Sequence, residues 1–175
     1  MTGITIRRLD APTAAQLAQL AEVLIDCVEG GASVNFMLPI SHERAALFWC
    51  QVADGAARGD RTLLVAEDSA GAIVGTVQLV PAPQENQPHR ADVAKMLVHR
   101  RARRSGVGAA LMTAVEQAAA EQRKSLLVLD TVTGGDAERL YARLGWQRCG
   151  VIPDFALWPA GGLCATTVFY KPVTA

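Results

Sequence analysis

The stretch Met96-Leu97-Val98-His99-Arg100-Arg101-Ala102-Arg103-Arg104-Ser105-Gly106-Val107-Gly108-Ala109-Ala110 decides how this chain is read. An apolar strand runs into a tight segment with two glycines, which opens directly into a helix with Val107, Leu111, Ala114, Val115 and Ala118 on its buried face. Gly106 and Gly108 leave the backbone bare, so successive N–H groups can close on an anion. The helix behind them adds the positive end of its dipole, and Arg103 and Arg104 supply mobile charge at the rim. This is the chemistry of a diphosphate grip. A P-loop would need G-x-x-x-x-G-K-[ST], which is absent, and a dinucleotide fingerprint would need a third glycine where Leu111 stands.

Working outward, strand 91–98, helix 106–123 and strand 126–131 form a β-α-β crossover whose two strands should be parallel. Upstream, residues 4–9 alternate like a strand. Pro12 and Thr13 open a helix with Leu17, Leu20, Ala21, Leu24, Ile25 and Val28 on one face, and Gly30-Gly31 end it. A loop over 30–39 leads to a helix over 41–57 and to strands at 62–67 and 72–80. Pro81, Pro83 and Pro88 mark an exposed connection. Downstream, a short helix over 135–144 ends at Gly145, and strands 146–152 and 163–171 flank a Pro/Gly-rich loop. The order βααβββαβαββ predicts one α/β domain over residues 1–175, a mixed sheet with helices on both faces.

Composition narrows the function. The chain has 175 residues, 17 basic and 17 acidic, with half its residues apolar. One domain of this size builds a core without metal or disulfide staples. Zero net charge removes the field of a general nucleic-acid binder, and Arg100 to Arg104 lack the aromatic residues that would stack bases. No apolar run approaches the ~18 residues of a membrane span. Arg7 and Arg8 are followed by Asp10, Pro12, Gln16, Gln19 and Glu22, which break any signal-peptide core. Cys27, Cys50, Cys149 and Cys164 show no metal-binding or disulfide spacing and read as buried or half-buried thiols, with no metal expected. A cytoplasmic protein is expected.

Two motifs carry a family resemblance. Arg103, Gly106 and Gly108 give R-x-x-G-x-G after a strand, and Ala137-Glu138-Arg139-Leu140-Tyr141-Ala142-Arg143-Leu144-Gly145-Trp146 gives A-x-x-L-Y-x-x-L-G-[FW]. Together and in this order they resemble the GNAT N-acetyltransferase superfamily, and the order of elements resembles it along nearly the whole chain. The resemblance implies a three-layer α/β fold with a mostly antiparallel sheet and a central parallel pair. It implies acetyl-CoA as cosubstrate and a small amine as acceptor. Met96, Leu97 and Val98 would offer main-chain groups to the pantetheine arm, the Val98 N–H polarising the thioester carbonyl. Arg103, Arg104, Ser105, Gly106, Val107, Gly108 and Ala109 would wrap the pyrophosphate. Gly30 to Val34, Leu129 to Thr131 and Ile152-Pro153 further resemble the tabtoxin resistance acetyltransferases of that superfamily. Three positions depart from the common pattern: Arg100 stands where many members have Pro, Arg104 where many have Gly, and Gly134 where many have an Asn that bonds the pantetheine or orders the helix start.

Acetyl transfer to an amine poses two proton problems, since an alkylamine of pKa ~10.4 is protonated at pH 7 and the departing thiolate gains from a proton. Tyr141 is the candidate acid; its phenol is protonated at neutral pH, and it falls where the family places a tyrosine beside the CoA sulfur. Asp130 is the candidate base, at the carboxyl end of an apolar strand where α/β sheets open their ligand crevice, with desolvation or a water relay to bridge the gap in pKa. The competing readings are a core aromatic for Tyr141 and a turn-capping role for Asp130. Ser33, Asn35 and Phe36 are candidate acceptor contacts, and Glu67 is a second base only if its strand opens on the same cleft. The terminal strands are the candidate surface for a homodimer. A CoA-sensing module without catalysis and a transferase of another acyl group are the alternatives.

Overall fold

The computed structural model describes residues 3–174. Its elements in chain order are β1 (Thr5–Arg8), α1 (Ala14–Glu29), α2 (His42–Ala57), β2 (Thr62–Glu67), β3 (Ile73–Pro81), β4 (Arg90–Val98), a 3-10 turn (Arg100–Ala102), α3 (Val107–Glu121), β5 (Leu126–Val132), α4 (Asp136–Arg143), β6 (Gln147–Leu157) and β7 (Leu163–Pro172). Local chemistry sets the helix starts: Thr13 and Gln16 form a reciprocal capping box on α1, and the Ser41 hydroxyl caps α2.

The seven strands form one sheet in the order β1-β2-β3-β4-β5-β7-β6. Only β4 and β5 run parallel, as the crossover predicts; every other neighbouring pair is antiparallel. Alternation along β2 shows how two cores arise from one sheet. Leu63 and Val65 point to α1 and α2, joining Leu20, Leu24, Val28, Trp49 and Val52. Leu64 and Ala66 point the other way, joining Val107, Leu111, Met112 and Val115 of α3 and Tyr141 of α4. The three-layer architecture follows.

Beyond shifts of a residue or two, one boundary and one element differ from the sequence reading. β6 continues through Pro153 to Leu157, with a register shift between Ile152 and Ala156. The proline is tolerated because β6 is the sheet edge, where a missing N–H breaks no ladder. The turn at Arg100–Ala102 adds an element that periodicity does not reveal. Cys50 and Cys149 are exposed rather than buried, while Cys27 and Cys164 are enclosed, and all four thiols are free. Among the described residues, no helix is long and apolar enough to cross a membrane.

Candidate active site

The site begins where the parallel pair comes apart. β4 and β5 are in register only from Arg90–Asp92 against Leu126–Val128. Beyond that point β4 stays on β3, with Leu97 opposite Thr76 and Val98 opposite Gly75, while β5 stays on β7 as far as Val132. The cause is a bulge in β4 opposite Thr76 and Gln78, where Lys95 takes φ 50°. A wedge opens between Met96–Val98 and Leu129–Val132. The His99 N–H donates to Val74 O at 2.9 Å, so by alternation Leu97 turns its main-chain groups to β3 and Val98 turns its own toward the wedge.

At the mouth of the wedge lies the glycine turn. Arg104 (φ 62°) and Gly106 (φ 88°) both take left-handed backbone, which curls the chain into the first turn of α3. No side chain caps that helix, and among the described residues the N–H groups of Ser105 to Ala109 donate to no other backbone or side-chain group. Such a run of convergent bare donors fits a diphosphate. Gly75 lets the helix approach: a Cβ there would lie 3.0 Å from Leu97 O and 3.1 Å from both Leu111 and Val107 side chains.

The turn is latched from α1 by Asp26, which is 8% exposed. Its carboxylate accepts from the Arg100 backbone N–H at 2.8 Å and from Arg100 Nε at 2.7 Å, and His99 Nε2 lies 3.5 Å away. Burial pushes this carboxyl up, but the Arg100 bonds and the His99 and Arg100 charges outweigh it and hold it below the usual range. The residue at position 100 therefore needs an N–H, which a proline lacks. Beside Asp26, the buried Cys27 thiol donates to Val98 O at 3.5 Å, and Arg103 Nε donates to the same carbonyl at 3.1 Å. The Arg103 side chain is thus directed onto the end of β4, while Arg104 and Ser105 are exposed at the rim.

Across the wedge, the start of α4 is ordered without the expected Asn. Glu138 accepts from the Gly134 N–H, and Arg139 Nη1 donates to Gly134 O at 2.9 Å. Tyr141 is 5% exposed, packed against Trp146 and Phe169 at 6.1 Å between ring centroids in each case. Burial, and secondarily the Asp130 charge, hold its phenol above the usual tyrosine range. Leu127 and Leu129 face α3 and α4, so Asp130 falls on the opposite face of the sheet. It is exposed, not desolvated, and accepts from Thr166 Oγ1 at 2.8 Å.

Lys95 escaped the sequence reading. It is half-buried, with Nζ 5.8 Å from the centroid of Phe48 on the α1–α2 face. Desolvation lowers its pKa, and Asp130 offsets part of that. The sequence signal is slight, since β4 also carries Arg90 and Asp92 and a third charge in it does not stand out.

The candidate acceptor wall is the 30–39 loop, which crosses to the β6–β7 hairpin. Ser33 Oγ donates to Leu157 O at 2.7 Å, and the Leu38 N–H donates to Pro159 O at 2.9 Å. Ser33 is therefore engaged in holding the wall; Phe36 is buried against Phe48 at 5.3 Å, and Asn35 (φ 74°) is exposed. Glu67 is paired with Arg7 at 2.7 Å, two strands from the wedge.

With this geometry in view, likeness to known proteins is informative. Residues 59–148 match the family model of the acetyltransferase (GNAT) domain. An uncharacterised N-acetyltransferase from the hisH-hisA intergenic region of Azospirillum brasilense is 28% identical over 132 residues, covering 74% of this chain and 76% of that protein. The fold is similar to a ribosomal-protein-alanine N-acetyltransferase from Brucella melitensis, with a TM-score of 0.78 and 24% identity, over 97% of this chain and 99% of that one. It is equally similar to a phosphinothricin acetyltransferase from Sinorhizobium meliloti solved with acetyl-CoA, with a TM-score of 0.80 and 18% identity, over 98% and 89%. The matched segment contains both signature motifs, the wedge and the glycine turn, and the chain belongs to the GNAT family of acetyltransferases.

Proposed function

We propose that the protein transfers an acetyl group from acetyl-CoA directly to the amine of a small molecule, both substrates being bound at once. One observation supports this reading above the others: the wedge between Met96–Val98 and Leu129–Val132 opens beside the bare amides of Ser105 to Ala109, with Tyr141 on one face of the sheet and Asp130 on the other. The donor then enters from the α3–α4 side and the acceptor from the α1–α2 side. Acetyl-CoA supplies an acetyl group activated as a thioester.

The amides of Ser105 to Ala109 hold the diphosphate, with Arg104 at the rim, and the facing edges of Met96 to Val98 take the pantetheine arm. The Val98 N–H donates to the thioester carbonyl oxygen, favouring charge that develops there. Asp130, exposed on the acceptor face, receives through water the proton that the amine loses as its nitrogen bonds to the acetyl carbon. Tyr141, protonated throughout the neutral range, gives its proton to the leaving sulfur as the carbon–sulfur bond breaks, and the proton taken from the amine returns through water to restore the phenol. Holding both reactants in one wedge contributes the larger part of the acceleration.

The exposed edge strand β6, carrying Val151, Ile152, Phe155 and Leu157, supports a second copy of the chain as partner. Four free thiols fit a reducing compartment such as the cytoplasm. The test is a thiol-release screen of the purified protein with acetyl-CoA against diverse amines, repeated with succinyl- and longer acyl-CoA. Amine-dependent release with acetyl-CoA is expected; tight CoA binding with no release from any amine would overturn the reading.

A further inference from the structure

The acceptor's chemistry is written in the second charge on the acceptor face. Lys95 sits at the bulge that parts β4 from β5, and its positive φ carries it out of the regular pleat. Its ammonium rests over Phe48, which packs edge-on against Phe36, itself 5.6 Å beneath the Arg44 guanidinium. The wall from Gly31 to Leu38 contains no acidic residue. Asp130 also lies on this face, on β5; it forms no ion pair with Lys95 and is bonded instead by Thr166. A positive and a negative group thus stand unpaired with each other on one face, on the two strands that the wedge separates.

We propose that Lys95 selects the acceptor: a small primary amine that also carries an anionic group, carboxylate or phosphonate, with the amine set toward Asp130 and the anion on the Lys95 ammonium. This rests on the transferase reading above and deepens it. A half-buried cation without a counter-ion is a standing desolvation cost, which an incoming anion offsets. The same charge repels polycationic acceptors such as polyamines and aminoglycosides. Burial already disfavours the charged ammonium, so an anionic ligand restores the Lys95 pKa upward.

Calorimetric titration of the CoA-saturated protein with matched amines, differing only in carboxylate against carboxamide, tests this. Thiol release with acetyl-CoA is measured on the same pairs. The native protein should favour the carboxylate members about tenfold or more in both affinity and kcat/KM, the scale of one charge-assisted bond. Lys95→Gln should bring that ratio close to one, acting through acceptor KM and leaving the CoA Kd unchanged, and Lys95→Arg should restore most of it. A native protein without the preference, or a Lys95→Gln protein that keeps it, overturns the role of Lys95 alone. Absence of thiol release from every amine overturns the transferase reading and this inference with it.

Discussion

Tyr141 and Asp130 meet different surroundings, and that difference is the basis of their proposed roles. The phenol is enclosed among Trp146 and Phe169, so its proton is retained; the carboxylate is exposed, so it exchanges with water. Replacing Tyr141 by Phe, or Asp130 by Asn, should each lower kcat by ~10²-fold or more, typical of a lost acid or base. Coenzyme affinity, measured by calorimetry, should be unaffected. An unchanged kcat would remove either residue from the mechanism. Arg104 offers a test of a different kind, because its φ of 62° is strained for any residue with a Cβ. Left-handed backbone costs ~1–2 kcal/mol, and glycine's extra unfolded-state freedom returns ~0.5–1 of that. Arg104→Gly should therefore raise stability by about 0.5–1 kcal/mol in urea denaturation. A decrease would mean that the guanidinium has a structural role.

At the scale of elements, the last turn of α1 sets where the glycine turn can sit. Asp26 fastens Arg100, and Cys27 reaches Val98 O, so one helix end positions both the diphosphate cradle and the end of β4. Asp26→Ala should cost about 1.5–3 kcal/mol, the worth of hydrogen bonds to a charged group, and should weaken coenzyme binding although Asp26 touches no ligand. The pH dependence has a definite sign. The folded-state pKa of Asp26 is lowered, so its contribution is fully present above the ordinary aspartate value of ~3.9 and is lost as pH falls through the lowered pKa. The stability gap between native and Asp26→Ala proteins should be present at pH 5 and close on further acidification. A gap that persists in acid would assign the latch to packing.

Over the whole molecule, hydrophobic period and turn residues made most of the fold legible. Leu63 to Ala66 alternate to two faces as a strand with helices on both sides must, and the β-α-β unit fixed the one parallel pair. The glycine turn and the Tyr141 helix were legible for the same reason: Gly106 and the residues around Tyr141 are contiguous in sequence. What escaped depends on contacts distant in sequence. Asp26 and Arg100 are 74 residues apart, and nothing local to α1 distinguishes Asp26 from a solvent-facing acid. The Lys95 bulge exists only as a register mismatch between β3 and β4. The β6 extension past Pro153 depended on the strand being an edge. The apolar strand left desolvation and a water relay both open for Asp130, but the residue is exposed, on the face turned away from Leu127 and Leu129.

The central claim is that the bare amides at the start of α3 bind the coenzyme's diphosphate. Substitution at Gly108 tests it poorly, because a Cβ there would lie 3.0 Å from Leu140 of α4, the helix that carries Tyr141. Ser105 is exposed and lies outside the core, its hydroxyl donating to Ala102 O at 2.7 Å. A carboxylate introduced at Ser105 should favour the helix N-terminus by a few tenths of a kcal/mol while repelling the diphosphate. Calorimetric titration of Ser105→Glu with acetyl-CoA should show an affinity lower by about 100-fold, with cooperative thermal unfolding retained. Native affinity in that variant would contradict the assignment.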